Sequence, residues 1–248
     1  MAMSFVALGV GDAFSALHYS SGLAVEADGR WLLVDCPHPI RKVLREASEQ
    51  AGVALDVGSF EAVVITHLHA DHCAGLEDLA YFSRFVLGRR PRLAAHRTVL
   101  ARIWEGRLAA GMESLSDPTD WTSRPMRLED YFEVTPLDDG RRIEVGGFEI
   151  ACRPTRHHVF TTALRIRAGG RELGISSDTD HDPALVEWLA RADLFLHETG
   201  AGIHTPYAAL ASLPAGVRAR MRLTHYPDGF ETPDDGVELL REGRRYTV

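Results

Sequence analysis

The amino-acid sequence predicts an α/β protein built in four layers, in the order helix, sheet, sheet, helix (an αββα sandwich). Short strands rich in β-branched residues alternate with amphipathic helices, and this alternation occurs twice, once on each side of residues 111–135. Two similar halves can each bury one face of a sheet by packing it against the other half. We therefore expect a single domain over residues 1–248, divided into halves near residues 111–135.

The composition indicates a globular protein. The 248 residues are 45% hydrophobic and 25% charged, which is close to the average of soluble domains. No apolar run approaches the roughly 18 residues of a membrane span. The apolar N-terminus also lacks the basic residue that precedes the core of a secretory signal. We therefore expect no membrane partner and a cytoplasmic location.

The charge and the cysteines narrow the function further. The net charge of −8 disfavours a large nucleic acid as partner, because proteins that bind its phosphates are basic. The cysteines, Cys36, Cys73 and Cys152, include no C-x-x-C pair and predict neither a disulfide framework nor a cysteine zinc site. A small-molecule substrate fits these features better. A homodimer is compatible with the sequence, which does not decide the oligomeric state.

The first half contains short apolar strands and helices with one apolar face. Asp28-Gly29 is typical of a two-residue hairpin turn between the second and third strands. The predicted elements are strands Phe5–Val10, Gly22–Ala27 and Trp31–Asp35, helix Pro39–Gln50, strand Glu61–Thr66, helix Ala74–Val86, strand Arg92–Ala95 and a helical stretch from Thr98 to Leu108.

An irregular polar segment, residues 111–132, separates the halves, and we expect it to be a loop that forms a lid. Regular elements then resume, with glycine turns between several of the strands. The predicted elements of the second half are strands Glu133–Leu137, Arg142–Val145, Phe148–Cys152, Thr162–Ala168 and Arg171–Ser176, helix Pro183–Arg191, strand Leu194–His197, a helix near Ala208–Leu213 and a strand ending at Thr224.

The segment THLHADH, residues 66–72, directly follows the buried strand Glu61–Thr66. His67 and His69 are two residues apart on extended backbone, so their side chains point the same way and can share one metal ion. Asp71 and His72 lie beyond the bend and can face a second ion. Four metal-binding side chains packed so closely after a strand predict a metal site.

This H-x-H-x-D-H pattern after a hydrophobic strand resembles the signature of the metallo-β-lactamase superfamily. Later residues follow the order of that family: a histidine in Arg156-His157-His158-Val159, an aspartate in Ser176-Ser177-Asp178-Thr179 and a histidine in Leu223-Thr224-His225-Tyr226. The matches extend over nearly the whole chain. The resemblance therefore implies the αββα fold of this superfamily and a metal-dependent hydrolase.

The resemblance also implies a ligand set for two divalent metal ions. One ion would be held by His67, His69 and His157, the other by Asp71, His72 and His225, with Asp178 between them. Imidazole and carboxylate ligands suit zinc, and manganese or iron accepts the same ligands. A pair of ions lowers the pKa of bound water, so that a bridging hydroxide is available near neutral pH. Asp71 is then both a ligand and a catalytic carboxylate.

The neighbouring histidines His157 and His158 compete for one ligand position. In ribonuclease Z-like and related phosphodiesterases, a small residue follows the ligand six positions later and a Ser or Thr follows it four positions later. Counting from His157 gives Thr161 and Ala163, whereas counting from His158 places a leucine where the small residue belongs. The resemblance therefore favours His157, with His158 as its neighbour.

Another segment resembles the same phosphodiesterases. Phe195-Leu196-His197-Glu198-Thr199 is similar to their H-E-x-T segment, in which the histidine donates a proton to the leaving oxygen. By this resemblance His197 is the catalytic acid and Glu198 orients it. His204 is expected at the surface or at the rim of the site. Enzymes that mature transfer RNA carry a long basic arm in this half, and no such insertion occurs between Asp178 and His197.

These features together predict a binuclear metal-dependent phosphodiesterase that acts on a small anionic diester, cyclic diesters included. A metal-dependent ester, thioester or lactone hydrolase is the alternative on the same site. That alternative is weakened because residues 154–161 lack the glycines of the T-P-G-H-T-x-G-H segment found in glyoxalase II-like thioesterases and acyl-homoserine lactonases. A metal-binding protein without catalytic turnover is a third hypothesis.

Overall fold

The computed structural model describes residues 3–233 and 236–248. In chain order, the strands are β1 (Ser4–Gly9), β2 (Gly22–Ala27), β3 (Arg30–Val34), β4 (Phe60–Ile65), β5 (Arg92–His96), β6 (Ser114–Ser116), β7 (Ser123–Pro125), β8 (Glu133–Leu137), β9 (Arg142–Val145), β10 (Phe148–Pro154), β11 (Thr162–Ala168), β12 (Arg171–Ile175), β13 (Leu194–Glu198), β14 (Met221–Thr224) and β15 (Arg245–Thr247). The α-helices are α1 (Ile40–Ala51), α2 (Ala70–Cys73), α3 (Leu76–Phe85), α4 (Arg97–Ile103), α5 (Ala109–Met112), α6 (Leu128–Tyr131), α7 (Pro183–Leu189), α8 (Tyr207–Ala211) and α9 (Ala215–Arg218).

Within the described residues, the larger sheet has the strand order β15-β1-β2-β3-β4-β5-β8 and the second has the order β14-β13-β12-β11-β10-β9. Strands β3, β4, β5 and β8 are parallel to one another, and so are β12, β13 and β14. Loops that leave the carboxyl ends of parallel strands gather at one edge of a sheet. Each sheet therefore presents one such edge, and the metal-binding side chains predicted from the sequence lie there.

Three apolar clusters define the layers of the sandwich. The central cluster lies between the sheets and includes Phe5, Val64 and Phe148. A second cluster covers the outer face of the larger sheet with α1, α3 and α4. The third packs α7 and α8 on the outer face of the second sheet, around Phe195 and Leu223. Helices therefore cover both outer faces, and the predicted αββα sandwich is confirmed.

The segment between the halves is more regular than the sequence predicts. Strands β6 and β7 pair there as an antiparallel hairpin, and α6 follows them. Tyr131 at the end of α6 is fully buried, and its hydroxyl donates a hydrogen bond to the carbonyl of Met112 at 3.0 Å. The sequence did not reveal this hairpin, because its two strands have only three residues each and such short strands show little alternation of polar and apolar residues. The lid function of the segment stays a prediction.

The C-terminal strand β15 was not expected from the sequence. It pairs antiparallel with β1, so that Tyr246 lies opposite Phe5 and the two rings stack with centroids 5.2 Å apart. The strand has only three residues, begins with Arg245 and follows Arg244, so the sequence shows no alternating strand pattern there. Among the described residues, no helix combines the length and hydropathy needed to span a bilayer.

Phe148 tests the packing between the sheets. Its side chain is fully buried in the central cluster, so Phe148→Ala removes a ring and leaves a cavity. The substitution should lower the free energy of unfolding by about 3–5 kcal/mol, measured by urea denaturation. The control is Phe85→Ala, because Phe85 is 63% exposed and its loss should cost less than about 1 kcal/mol. Equal losses in the two variants would contradict the assigned core.

Candidate metal centre

The histidine-rich segment follows β4 and changes from extended to helical backbone within a few residues. His67 and His69 lie on the extended part, and His69 is the N-cap of α2. Asp71 and His72 lie in the single turn of α2 itself. This change of backbone direction separates the four side chains into two groups, as the spacing in the sequence predicts.

A first set of donor atoms comes from His67, His69, His157 and one oxygen of Asp178. Nδ1 of His69 lies 3.0 Å from Nε2 of His67 and 3.3 Å from Nε2 of His157. Oδ2 of Asp178 lies 3.7 Å and 3.8 Å from those same two Nε2 atoms. Four ligands around a zinc ion at about 2.0–2.2 Å would be about 3.4 Å apart. The first set therefore has the dimensions of a metal site.

A second set of donor atoms comes from Asp71, His72, His225 and the other oxygen of Asp178. Oδ1 of Asp178 lies 3.2 Å from Nε2 of His72 and 3.5 Å from Nε2 of His225. Oδ2 of Asp71 lies 3.2 Å and 3.3 Å from the same two nitrogens. The two oxygens of Asp178 thus face two different donor sets, which is the arrangement that a bridging carboxylate requires.

Two atoms of the second set indicate that a metal ion fits this site. Among the described residues, Nε2 of His72 and Oδ1 of Asp178 are buried and have no hydrogen-bond partner, although they are 3.2 Å apart. Buried polar atoms in proteins nearly always have a partner. Imidazole nitrogens and carboxylate oxygens that converge without bonding to one another suit a divalent cation such as zinc.

The electrostatic environment differs between the two sets. Burial lowers the pKa of His67 and lowers the pKa of His157 to about 4, so both rings are neutral at physiological pH. Neutral imidazole is the form that binds a metal ion. In the second set, burial is the largest single influence and opposes the charge of His225, but the carboxylates of Asp178, Asp71 and Glu198 together outweigh it and raise the pKa of His225 to about 10. The buried carboxylates therefore favour a positive charge between them.

Asp35 supports the metal-binding segment, residues 66–72, through hydrogen bonds to Thr66 and His72. Its Oδ2 lies 2.8 Å from Nδ1 of His72, and its Oδ1 accepts a hydrogen bond from the backbone N–H of Thr66 at 2.9 Å. The Thr66 hydroxyl contacts both Asp35 and Nδ1 of His67. These contacts fix the orientation of two imidazole rings, and such outer partners also increase the basicity of a ligating histidine.

Three strand ends at the site carry residues in the left-handed backbone region. Asp35, Ser177 and His225 have φ values of 59°, 51° and 51° and follow β3, β12 and β14. Non-glycine residues rarely adopt such angles, and residues that do concentrate at functional sites. Asp35 contacts His72, Ser177 directly precedes Asp178, and His225 is itself a donor, so all three turns lie beside the candidate centre.

The structure separates the two adjacent histidines that the sequence left in competition. The side chain of His157 is buried and contributes a nitrogen to the first donor set. His158 is exposed, and its Nε2 lies 3.0 Å from the opposite nitrogen of His69, Nε2. His157 therefore takes the inner position, and His158 contacts the outer side of a ligand candidate.

His197 does not lie with these donor atoms. It is fully buried in β13, and it shares the outer face of the sheet with Phe195 and with its cross-strand partner Leu223. Its Nδ1 lies 2.8 Å from the carbonyl of Glu198, and its Nε2 has no hydrogen-bond partner among the described residues. Successive strand residues point to opposite faces, so the site receives Glu198 in place of His197.

Glu198 reaches the site together with His204, for which the sequence predicts only a surface or rim position. Nδ1 of His204 lies 2.8 Å from Oε2 of Glu198, and this hydrogen bond raises the pKa of His204. The His204 ring is 5.7 Å from the ring of His157 and 5.3 Å from that of His225. The sequence signal for His204 is the spacing H-E-x₅-H, formed by His197, Glu198 and His204. This spacing is long enough for the loop after β13 to return to the end of that strand.

The sequence of the chain is similar over nearly its whole length to one described family of proteins. The family model of the anti-Pycsar protein Apyc1 matches residues 3–246. The anti-Pycsar protein Apyc1 of Bacillus phage BSP38 is 31% identical over 97% of this chain and 96% of its own length. Its counterpart from Saccharibacillus brassicae is 29% identical over 99% of this chain and 100% of its own length.

Solved structures share the fold at lower sequence identity. The metallo-β-lactamase fold protein YhfI from Bacillus subtilis superposes with a TM-score of 0.77 at 18% identity, covering 100% of both chains. A diphosphatase of the PhnP family gives a TM-score of 0.72 at 16% identity, covering 98% of this chain and 97% of its own. Human tRNase Z, short form, gives 0.67 at 18%, covering 98% of each chain. The chain therefore has the metallo-β-lactamase fold and belongs to the anti-Pycsar protein Apyc1 family.

Proposed function

We propose that the protein is a binuclear metal-dependent phosphodiesterase that acts on a small anionic diester. The observation that carries the proposal is the position of Asp178, whose two oxygens face two separate sets of histidine and carboxylate donors. Two of the fold neighbours, a diphosphatase and a tRNase Z, carry names of enzymes that act on phosphate compounds. Their names support phosphate ester chemistry on this scaffold.

The two donor sets would hold two divalent metal ions, and we propose zinc as the preferred ion. His67, His69 and His157 would bind one ion, Asp71, His72 and His225 the other, and Asp178 both. Bound ions of this kind act as Lewis acids that polarise a phosphoryl oxygen and activate water. Asp71 and Asp178 would offset their charge, and Asp35 would hold the ring of His72 in place.

His204 is our candidate for the proton donor to the leaving oxygen, in place of His197. Its hydrogen bond to the buried Glu198 carboxylate keeps the ring protonated to higher pH than a free imidazole. Its side chain is 21% exposed and can reach a substrate, whereas that of His197 is sealed in the sheet. Glu198 would orient the ring, because its Oε1 is held by the backbone N–H of Thr179.

A substrate panel distinguishes this proposal from its alternatives. Protein loaded with zinc or manganese should hydrolyse bis-p-nitrophenyl phosphate, and it should act poorly on a thioester and on a lactone. Turnover of the thioester or the lactone alone would identify the ester-type hydrolase. Stable metal binding without turnover of any of the three would favour a metal-binding protein.

The shared carboxylate predicts the metal content. Elemental analysis of the loaded protein should approach two ions per chain. Asp178→Ala should lower the occupancy of both positions, because one oxygen is lost from each donor set. The control Asp180→Ala, which removes an exposed carboxylate two residues away, should retain both ions. Full occupancy in Asp178→Ala would contradict the bridging assignment.

The adjacent histidines predict opposite outcomes. His157→Ala should lose metal from the first position and nearly all hydrolysis, because its Nε2 belongs to that donor set. His158→Ala should keep both ions and most of the activity, because His158 contacts only the outer nitrogen of His69. Metal content and the rate on bis-p-nitrophenyl phosphate are measured on the same samples. The reverse pattern would show that His158 is the ligand.

The proton donor predicts a dependence on the leaving group. His204→Ala should lose about 10²–10⁴ in rate on a diester whose leaving group is an alkoxide. The loss should be much smaller for p-nitrophenolate, which departs without a proton. The control His197→Asn should leave unchanged the ratio of the rates on the alkoxide and p-nitrophenolate diesters. Partial unfolding of the variant lowers both rates equally, so it does not alter this ratio. Equal losses on both diesters in His204→Ala would argue against proton donation.

A further inference from the structure

A small cavity lies behind the second donor set and has no role in the proposed chemistry. Its volume is about 30 Å³. Side chains of the second donor set line one part of it, and apolar side chains of the central cluster line another part. These residues are His72, Asp178, His225, Leu23, Val34 and Ile175. The cavity therefore lies between the candidate metal centre and the core of the sandwich.

Hydroxyl groups line the cavity as well, among them those of Ser21, Ser177 and Thr224. The Ser21 hydroxyl donates a hydrogen bond to the carbonyl of Gly11 at 3.1 Å, and its Oγ lies 3.3 Å from Oγ1 of Thr224. Because the Ser21 proton is directed at Gly11, the Thr224 hydroxyl donates to Ser21. The lone pairs of Oγ1 of Thr224 thus remain able to accept a hydrogen bond.

Ser177 stands out among these hydroxyl residues. Its backbone has a φ of 51°, a conformation that glycine adopts without steric cost, so the backbone gives no reason for a serine here. Its Oγ is buried and has no hydrogen-bond partner among the described residues. Buried polar atoms nearly always have a partner. An unpaired hydroxyl in the wall of a cavity therefore indicates a ligand that forms hydrogen bonds.

The ring of His225 has a second nitrogen that needs a partner. Its Nε2 faces the donor set, 3.5 Å from Oδ1 of Asp178, so a neutral ring that binds a metal there carries its proton on Nδ1. Nδ1 is buried, and Oε2 of Glu198 lies 3.8 Å away, which is too far for a direct hydrogen bond. Both oxygens of Glu198 already accept bonds, from Thr179 and from His204. Polar atoms at such a separation are often bridged by water.

A water molecule fits the size and the chemistry of the cavity. One water needs roughly 10–15 Å³, and a buried water typically forms about three hydrogen bonds. The lining offers a donor in Nδ1 of His225, an acceptor in Oγ1 of Thr224, and a hydroxyl of Ser177 that can do either. Water can accept and donate at once. A cation would be repelled by the N–H of His225.

We propose that this cavity binds one internal water molecule that positions the ring of His225. The water accepts a hydrogen bond from Nδ1 of His225 and donates one to Oγ1 of Thr224, and the Ser177 hydroxyl is its third partner. Ser177 and Thr224 are then positioning residues that act through the water on a metal-ligand candidate. The proposal rests on the donor set of the proposed function and does not depend on the substrate.

Paired substitutions of Ser177 separate its hydroxyl from its backbone. Ser177→Ala and Ser177→Gly both remove the hydroxyl, whereas only glycine relaxes the positive φ. Each variant should weaken one of the two zinc-binding events roughly tenfold and leave the other unchanged, because loss of an outer partner of a ligand has this effect. Zinc affinity is measured by competition with a chromogenic chelator. A loss in Ser177→Ala that Ser177→Gly does not share would overturn the role of the hydroxyl.

The control for backbone relaxation is Asp28→Gly, because Asp28 has a similar φ of 53° in the turn between β2 and β3. This variant should bind both zinc ions as the wild type does. Thr224→Val keeps the shape of the side chain without its hydroxyl and should weaken the same zinc-binding event as Ser177→Ala. Thr224→Ser keeps the hydroxyl and should retain the wild-type affinity. Equal affinities in the two Thr224 variants would count against the proposal.

A crystal structure of the zinc-loaded protein that shows ordered water identifies the ligand directly. Density for a water within about 3.2 Å of both Nδ1 of His225 and Oγ of Ser177 is the expected result. Absence of that density, or an ion in its place, would overturn the inference. If the protein binds zinc but hydrolyses no diester, the phosphodiesterase fails while the zinc affinities still decide the water. If it binds no zinc, the proposed function fails, and a crystal structure of the metal-free protein decides the water.

Discussion

The buried carboxylate of Asp178 is the group around which the rest of the candidate centre is arranged. Asp178 is 2% exposed, and an isolated charge at such a position would cost far more than the folding of one domain can offset. Its two oxygens lie within 3.8 Å of nitrogens from His67, His72, His157 and His225. These histidines follow strands of both sheets. The attraction between the buried Asp178 carboxylate and the positive charge held around it therefore links the edges of the two halves.

Backbone hydrogen bonds between the loop after β3 and helix α2 hold the donor side chains in their positions around the candidate centre. The backbone N–H of Cys36 bonds to the carbonyl of His72 at 2.7 Å, and the N–H of Gly75 bonds to the carbonyl of Cys36 at 2.7 Å. A Cβ at Gly75 would lie 2.5 Å from the carbonyl oxygen of Pro37, so only glycine allows this approach. The loop after β3 and the turn of α2 thereby hold each other in place, and together with Asp35 they fix the orientation of His72.

Charge is distributed unevenly across the molecule, and this distribution is compatible with the small anionic substrate that we propose. The chain carries a net charge of −8, which repels extended polyanions. Next to the candidate centre, however, Arg102 and Arg107 line a cavity without acidic residues among its described lining. A local positive cavity on an acidic protein attracts a compact anion and disfavours a long polyanion. The global charge and the local cavity thus favour the same class of substrate.

Sequence alone determined the fold class and most of the candidate donors, because these depend on local patterns. The order of strands and helices, the H-x-H-x-D-H segment and the later residues Asp178 and His225 are all visible in the chain. A two-residue spacing on a strand and the turn that follows it fix the side-chain directions of the first four candidates without reference to distant residues. Asp178 and His225 were predicted from the resemblance to the order of residues in a known superfamily, and the structure places them beside the first four. The short hairpin β6–β7 and strand β15 gave too little periodic signal to be found.

Only the tertiary structure decided which face of β13 meets the candidate site, and therefore which residues of β13 lie there. His197 and Glu198 are adjacent, and a shift of one residue in register would exchange their positions, so sequence could not choose between them. Packing settles the choice. Phe195 and Leu223 belong to the outer apolar cluster, and His197 lies on the same face of the sheet because it is two residues from Phe195 and pairs with Leu223. The position of His204 is likewise the result of a loop folding back onto Glu198. The spacing H-E-x₅-H permits that contact, but the path of the loop in three dimensions decides whether it forms.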